Sequence, residues 1–476
     1  MSSTAPKRGA VGVPGKFGAA WRVAARFNPL SGPVIIVWAN ASPRLMTMIP
    51  IVRALRAAGH DAILGFPPHL RQRATSLPDL EDIECLAIPR LVLRRVRNAR
   101  MFVSAETSIA HGPRRTVRVA LYHSLPDHDL TYNYAAMFRR KPHIVPHIDY
   151  FGVSVRQSDA QWDADRYRPI VDETMPAHLL RDRREHMIVF PFGYPKIDLL
   201  MQRREAGGLP AADTILYAPT QTTLDYGSVR EYGAAILGAI HAAFPEYRIV
   251  FRPYPGRDAA KLRNLAEAFA GDGRFYYDTS VTGEDDMIRS AVMVTDRSSM
   301  AMSFSLGLAR PSVFFDAGGI AAEDPAGFAR FDPVGFRAGS PQGVVDAIRT
   351  ALASRGEIAA RIEERRGNHL YHPGHAASAF AGMVPDILAG TKRADWLTVP
   401  RRPFPSDDPG KVAAHIATLA KDIGSPDQPK GRLSLAMLKA GFAGSETGLT
   451  TEALLVLRKK LNPRRYLSRP KARDRR

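Results

Sequence analysis

Short apolar runs alternate with helical patterns along residues 186–353, and this alternation constrains the fold more than any other feature of the sequence. Each run is short enough for a strand, and most runs are separated by a stretch with helical periodicity. Such alternation predicts a parallel, doubly wound sheet, in which ligands bind at the carboxyl ends of the strands. The predicted strands are 186–190, 214–217, 248–251, 275–277, 292–294 and 312–315.

The first half of the chain carries a looser version of the same pattern. Residues 34–38 (VIIVW) form a β-branched run that is typical of a buried parallel strand. A helical pattern over 46–58 follows, and Gly59 is predicted to end that helix. Further strands are predicted at 62–64, 101–104 and 117–122.

At 476 residues the chain is too long for one ordinary hydrophobic core, so we expect two domains. The fold class predicted is α/β, with two Rossmann-like doubly wound domains that face a cleft, over residues 33–185 and 186–390. Residues 1–32 form a basic leader, either amphipathic or disordered. Residues 391–476 contain a Pro-rich linker, short helices and a basic tail.

The composition is that of a folded protein with anionic partners. Hydrophobic residues make up 45% and charged residues 24% of the chain, and the net charge is +19. Residues 90–118 carry eight Arg against one acid, and residues 457–476 carry ten Lys or Arg against one acid. These basic segments predict contact with an anionic membrane surface. Nucleic acid is not an expected partner, because no recognised binding motif accompanies the charge.

No run approaches the roughly 18 to 20 apolar residues of a membrane-spanning helix, and the start of the chain lacks the pattern of a secretory signal. We therefore expect a cytoplasmic protein, either free or peripheral on the inner face of the cell membrane. The single Cys85 cannot form an internal disulfide.

Polar residues follow three predicted strands of the second domain, where they should meet at one edge of the sheet. Ser298 is predicted to cap the helix that begins near Ser299, and a helix N-terminus favours a bound phosphate. Arg252 either clamps a diphosphate or pairs with a nearby carboxylate. The predicted donor-binding residues are Thr220, Arg252, Tyr254, Thr295, Asp296, Ser298 and Ser299.

In the first domain, a His follows a predicted strand. His123 should therefore face the cleft, where a neutral imidazole can accept a hydroxyl proton near pH 7. The same segment contains Asp127, the second catalytic candidate. A purely structural His123 is the alternative.

No metal and no cofactor are predicted. His369, His372 and His375 are close in sequence, but Pro373-Gly374 breaks the helix that would align them. The sequence also lacks dinucleotide-binding, Walker and serine-esterase motifs, so hydride transfer, ATP hydrolysis and esterase chemistry have no support.

Five segments, in this order and spacing, resemble motifs of the CDP-glycerol glycerophosphotransferase family, which contains teichoic-acid polymerases and primases. The likeness covers roughly residues 100–380, and its most specific segment is the last one. The segments are 122–126 (YHSLP), 193–199 (GYPKIDL), 215–220 (ILYAPT), 251–255 (FRPYP) and 294–315 (VTDRSSMAMSFSLGLARPSVFF).

The resemblance implies a GT-B architecture with an acceptor-binding first domain and a donor-binding second domain. It also implies that His123 is the general base and that Ser298 and Ser299 hold the donor phosphates beside Arg252 and Thr220. The expected activity is transfer of glycerol phosphate, or a related polyol phosphate, from a CDP-alcohol to a cell-surface glycan or lipid-linked acceptor.

At three positions the chain departs from the family pattern, with Tyr254 in place of a His, Ser124 in place of a Gly and Ser303 in place of an Asp. The transferred group therefore stays open. One alternative is a nucleotide-sugar-dependent glycosyltransferase of capsule or cell-envelope polysaccharide synthesis. A second is a membrane-docked scaffold that keeps the fold without catalysis.

Overall fold

A computed structural model of the chain contains two sheets flanked by helices. The structure describes residues 22–28, 31–75, 77, 80, 82–122, 134–159, 162–174, 183–206, 212–220, 222, 227–254, 259–280, 283–296, 298–316, 334–406, 408–422 and 435–439. The strands are β1 (Val34–Trp38), β2 (Ala62–Phe66), β3 (Cys85–Ala87), β4 (Ala99–Ala105), β5 (Val117–Leu121), β6 (Tyr150–Val153), β7 (His186–Pro191), β8 (Thr214–Tyr217), β9 (Arg248–Phe251), β10 (Phe275–Tyr277), β11 (Ser290–Thr295), β12 (Ser312–Phe315), β13 (Gly335–Ala338) and β14 (Leu397–Pro400).

The α-helices lie between these strands and after the second sheet. They are α1 (Ser42–Ala57), α2 (Arg71–Thr75), α3 (Arg90–Leu93), α4 (Tyr134–Arg140), α5 (Ala164–Thr174), α6 (Pro195–Glu205), α7 (Val229–Ala243), α8 (Ala259–Glu267), α9 (Glu284–Arg289), α10 (Ser299–Leu308), α11 (Pro341–Ala353), α12 (Arg355–His369), α13 (Ala376–Ala389) and α14 (Pro409–Asp422). None of these described helices combines the length and the apolar character that a bilayer crossing requires.

The first sheet has the strand order β14-β7-β6-β5-β4-β1-β2-β3. Strands β1 to β5 pair in parallel, and β14 pairs with β7 in the antiparallel direction. The chain runs outward from β1 through β2 to β3 and then returns to place β4 on the other side of β1. The strand order therefore reverses between β1 and β4, and such a reversal is where α/β sheets bind ligands.

The second sheet has the order β10-β9-β8-β11-β12-β13, and all its neighbouring strands are parallel. Its strand order reverses between β8 and β11. Helices cover both faces, so β8, β11 and β12 are buried along their whole length. This explains why their sequences read as continuous apolar runs rather than as an alternating pattern.

The predicted α/β fold with two parallel, doubly wound sheets is confirmed, and Gly59 ends α1 with a φ of +83°. One predicted strand belongs to a different sheet. The sequence assigns 186–190 to the second domain, whereas β7 is a strand of the first sheet. Strand β14 also lies in the first sheet, although the sequence predicts only a Pro-rich linker there. The bounds of the four predicted parts of the chain stay a prediction.

The described residues divide into two compact units. The larger takes those within Met1–Tyr132, Gly152–Arg156 and Phe190–Arg393, which include β1 to β5 and the whole second sheet. The smaller takes those within Asn133–Phe151, Gln157–Val189 and Ala394–Arg476. In the smaller unit, Phe138 packs edge-on against Phe151 and Tyr167. All the contacts of the candidate site described below belong to the larger unit.

The segment Gly193–Leu199, which resembles a family motif, forms a structural joint before and within the first turns of α6. Gly193 has a φ of +93°, and a Cβ at this position would meet the carbonyl oxygen of Tyr371 at 2.4 Å. The Asp198 carboxylate accepts hydrogen bonds from the N–H groups of Gly374 at 2.9 Å and Ala377 at 3.3 Å. These contacts fix α6 to the beginning of α13.

Gly193→Ala should therefore destabilise the protein by about 2–4 kcal/mol, because it combines a strained backbone with a close contact to an immobile carbonyl. Gly382 lies exposed within α13 with open space around it, so Gly382→Ala is the matched control. The control should change stability by less than about 1 kcal/mol, toward higher stability. Urea denaturation measures the free energy of unfolding of both variants. Equal changes in the two variants would show that Gly193 does not form a structural joint.

Candidate functional site

The loops that follow β9, β8 and β11 lie side by side, because these strands are neighbours in the second sheet and run in the same direction. The backbone joins the loops directly. The N–H of Arg252 donates to the carbonyl of Tyr217 at 2.9 Å, and the N–H of Tyr254 donates to the carbonyl of Pro219 at 3.3 Å. The sequence thus predicts correctly that these segments share one edge.

Asp296 organises this edge from the end of β11. Its buried carboxylate accepts hydrogen bonds from the N–H of Thr220 at 2.9 Å, the N–H of Ser228 at 3.0 Å and the Ser228 hydroxyl at 3.1 Å. Burial raises the pKa of Asp296, while the hydrogen bonds from Ser228 and Thr220 act to lower it. The carboxylate thus ties both ends of the loop between β8 and α7 to β11.

Thr295 adds a second link between the same strands. Its side chain is buried, and its Oγ1 donates to the carbonyl of Ala218 at 2.6 Å. The side chains of Thr295 and Asp296 therefore both form hydrogen bonds with protein groups. Through these bonds they determine the position of the β8 loop at the edge of the sheet. Thr220 is half-buried with its N–H held by Asp296.

Ser298 caps α10, as the sequence predicts. Its backbone is extended, and its hydroxyl accepts from the N–H of Met300 at 3.3 Å. The N–H of Ala301 is bonded to the carbonyl of Ser298 at 3.1 Å. Ser299 is the first helical residue and is half-buried. The ten-residue helix α10 thus begins at the reversal point of the second sheet, with its positive dipole end at the edge.

Arg252 is held by protein groups. Its guanidinium forms an ion pair with Asp278 and donates to the Ser280 hydroxyl at 3.0 Å and the Ser280 carbonyl at 3.1 Å. It also packs on Gly283, where a Cβ would meet its Cζ at 2.3 Å. Of the two interpretations from the sequence, the structure shows pairing with a carboxylate. Its role toward a donor stays a prediction.

Tyr254, two residues further along the same loop, is 42% exposed. It stands where the resembling family has a His. Its ring therefore presents a large surface at the edge of the second sheet, next to the loop that Asp296 fixes.

His123 and Asp127 lie outside the described residues, so both stay predictions. Tyr122, directly before His123, is buried, and its N–H donates to the carbonyl of Gly152 at 3.0 Å. Within the described part of the chain, no group of three or more His, Cys, Asp and Glu side chains is arranged to hold a metal ion.

Arg44 and Glu106, which no sequence motif singles out, follow β1 and β4 at the reversal point of the first sheet. Glu106 is fully buried. Burial lowers the pKa of the Arg44 guanidinium, and nearby Glu106, Tyr194 and Tyr254 act to raise it. Tyr254 follows β9 of the second sheet. Polar residues that follow parallel strands are the signal that indicates the residues after β8, β9 and β11. The same signal after β1 would have indicated Arg44.

Lys196 is a second missed cation, in the first turn of α6. Burial, followed by the charge of Arg252, lowers its pKa to about 8, while the charge of Glu284 acts to raise it. Burial also raises the pKa of Glu284, whose Oε1 is enclosed without a hydrogen-bond partner. The sequence could have indicated Lys196, because this residue lies inside the segment Gly193–Leu199, which resembles a family motif.

Solved structures of the wall teichoic acid polymerase TagF have a similar fold. One TagF variant aligns with a TM-score of 0.52 at 15% sequence identity, over 79% of this chain and 99% of that chain. A second TagF structure gives 0.51 at 15% identity, over 79% of this chain and 98% of that one. The chain has a GT-B-like fold. A TagF variant soaked with CDPG aligns at 0.50 and 14% identity, with coverage of 79% and 98%.

These likenesses confirm the predicted architecture and, at the level of the fold, the predicted resemblance. No protein-family model matches the chain, and no curated protein matches it in sequence.

Asp296→Asn should lower the free energy of unfolding by about 1–3 kcal/mol, because the amide turns an N–H₂ group toward donors that need an acceptor. The exposed Asp395 serves as control, since Asp395→Asn makes the same chemical change in solvent. Chemical denaturation checks the prediction, and an Asp296 variant as stable as the control would show that the loop does not depend on this carboxylate.

Proposed function

We propose that the chain is a transferase that moves glycerol phosphate, or a related polyol phosphate, from a CDP-alcohol donor to a cell-surface glycan or lipid-linked acceptor. One observation carries this proposal. At the reversal point of the second sheet, the β8 loop, the β9 loop and the N-terminus of α10 lie together, and Asp296 fixes the β8 loop to β11. The positive dipole end of a helix at such a point favours a diphosphate.

The likeness to TagF, one structure of which was soaked with CDPG, favours a CDP-linked donor over other nucleotides. Three of the segments that resemble the family motifs also meet this edge of the second sheet. Ser298 begins α10, and the 215–220 and 251–255 segments include the ends of the neighbouring strands β8 and β9. These positions support the proposal that the two proteins belong to one transferase class.

In the proposed reaction, His123 accepts the proton of an acceptor hydroxyl. The acceptor oxygen forms a bond to the β-phosphorus, and the bond between that phosphorus and the bridging oxygen breaks. CMP leaves with the bonding electron pair. The N-terminus of α10 would stabilise the negative charge on the diphosphate, which is the usual main contribution to catalysis of phosphoryl transfer.

The nucleotide product identifies the reaction. CDP-glycerol incubated with a lipid-linked acceptor should yield CMP, resolved by anion-exchange chromatography. Release of a nucleoside diphosphate from a nucleotide sugar would instead establish the glycosyltransferase alternative. Absence of any thermal shift with CDP-alcohols and nucleotide sugars would favour the scaffold, since a ligand at a hundred times its Kd should add about 2.7 kcal/mol of stability.

His123→Ala should lower turnover by about 10²- to 10⁴-fold, because general-base assistance contributes on that scale. Nucleotide binding, measured by thermal shift, should be unchanged. His60→Ala, which removes a half-buried His after α1, is the control and should keep full turnover. A fully active His123→Ala enzyme would remove the base assignment.

A membrane surface is the second proposed partner, and α3 is the proposed contact. Leu91 is 75% exposed and Val92 39% exposed. Residues 89–100 contain no acid, and exposed Arg90 and Arg95 flank the apolar pair. Neither of these arginines forms an ion pair with another described residue. The two aliphatic side chains can insert between lipids, and the flanking guanidinium groups can bind anionic headgroups.

Leu91→Ser combined with Val92→Ser should weaken binding to vesicles that contain phosphatidylglycerol by about tenfold or more, because burial of the two side chains in lipid is lost. Tyr276→Ser, which removes an exposed side chain from the second sheet, is the control. Co-sedimentation measures binding, and vesicles of phosphatidylcholine alone should bind neither protein. Equal binding of the double variant and the control would exclude α3 as the contact.

A further inference from the structure

Tyr254 presents an aromatic ring to solvent at the edge of the second sheet. The residue is 42% exposed. Within the described part of the chain, no other ring and no cation stacks on it, and its hydroxyl makes no hydrogen bond. Tyr276, which is 45% exposed, differs in this respect, because the Arg248 guanidinium lies over its ring at 3.5 Å. Tyr254 therefore offers an aromatic face that a flat ligand can cover.

The backbone that carries this ring is restricted on both sides. Pro253 precedes Tyr254 in the sequence and Pro255 follows it. A proline fixes its own φ angle, and a residue before a proline is confined to extended conformations. The N–H of Tyr254 also donates to the carbonyl of Pro219 in the β8 loop at 3.3 Å. A ligand that stacks on the ring thus has little backbone entropy to remove.

Tyr254 and the N-terminus of α10 leave the sheet one strand apart. The register places Phe251, Tyr217 and Val294 side by side, so β9 and β11 end within one residue of each other. Tyr254 and Ser298 each lie three residues beyond the end of their strand. Because β8 separates the two strands, their ends lie about 10 Å apart, twice the usual strand spacing. A ribose spans a comparable distance between the base and the diphosphate of a nucleotide.

Arg252, in the same loop, is already occupied. Its guanidinium pairs with Asp278 and donates to the Ser280 hydroxyl at 3.0 Å. These contacts hold the planar group against the loop that follows β10. Tyr254 is consequently the side chain of the β9 loop that retains a free flat surface.

We propose that the Tyr254 ring stacks on the nucleobase of the donor, while the N-terminus of α10 faces the donor diphosphate. The proposal deepens the proposed function and rests on it for the position of the diphosphate. Every nucleobase has a flat aromatic face, so stacking on an aromatic side chain provides affinity for any base. A base fixed in this way also helps to orient the reacting phosphorus, which lies at the other end of the nucleotide.

Replacement of the ring tests the proposal directly. Tyr254→Ala should weaken the binding of CDP by about 5- to 150-fold, the range expected for loss of one base–aromatic stack. Tyr254→Phe keeps the ring and should bind CDP nearly as the wild type does. Isothermal titration calorimetry measures both affinities. An equal loss in the two variants would mean that the hydroxyl binds the nucleotide, and the stacking proposal would be wrong.

Inorganic pyrophosphate separates stacking from a general disturbance of the loop, because it has no base. Tyr254→Ala and the wild type should bind it equally. Tyr276→Ala is the matched control, since it removes a tyrosine of similar exposure from β10, and it should bind CDP as the wild type does. Loss of pyrophosphate and CDP affinity to the same extent in Tyr254→Ala would overturn the proposal.

The identity of the base gives a further test. Stacking involves the face of the base and not its hydrogen-bonding edge, so Tyr254→Ala should weaken CDP and UDP by similar factors. A loss confined to one of the two would show that position 254 contacts the edge of the base, contrary to the proposal.

A tryptophan at position 254 reports on the contact itself. CDP stacked on the indole of Tyr254→Trp should quench its fluorescence, whereas pyrophosphate should not. The wild type, with its four native tryptophans, gives the background signal. Quenching by CDP that is no larger in the variant than in the wild type would place the base elsewhere.

The outcomes distinguish this proposal from the proposed function. CDP binding that depends on the Tyr254 ring, in a chain that releases no CMP from CDP-glycerol, would exclude the proposed reaction and retain the stacking contact. CMP release together with wild-type CDP affinity in Tyr254→Ala would retain the reaction and exclude the contact. A wild-type chain that binds neither CDP nor UDP would contradict both.

Discussion

The Asp296 carboxylate is the interaction on which the edge of the second sheet depends. A buried carboxylate is costly unless its oxygens are satisfied, and here two backbone N–H groups and one hydroxyl satisfy it. Both N–H donors belong to one loop. The need of the buried carboxylate for hydrogen-bond donors therefore also determines where that loop lies. The ends of β8 and β11 are thereby locked together at the one place in the sheet where the strand order reverses.

The sequence predicts the strands of the second sheet well, because strands covered on both faces must be apolar along their length. The common edge of Thr220, Arg252 and Ser298 follows from parallel strand direction alone. The sequence does not identify the ion-pair partner of Arg252, because Asp278 follows a different strand and becomes its neighbour only in the folded sheet. Strand β7 was placed in the wrong sheet for a related reason, because alternation along a chain does not specify which sheet a strand joins.

Arg44 escaped notice because Ser42-Pro43-Arg44 is an ordinary beginning for a helix, and most arginines there lie in solvent. Its Nε atom is enclosed in the folded protein, and this burial leaves no mark on the local sequence. Both sheets nevertheless place polar groups at their reversal points. Arg44 lies at that point in the first sheet, and the positive dipole end of α10 lies there in the second.

Gly283 has a consequence for how the sequence can change over evolutionary time. Its φ is +63°, and the guanidinium of Arg252 lies where any side chain at position 283 would have to begin. The two positions are therefore coupled: a relative with a larger residue at 283 must shorten or redirect the residue at 252. In such a relative, Asp278 would lose Arg252 as its counterion. Positions 252, 278 and 283 should therefore vary together across homologues.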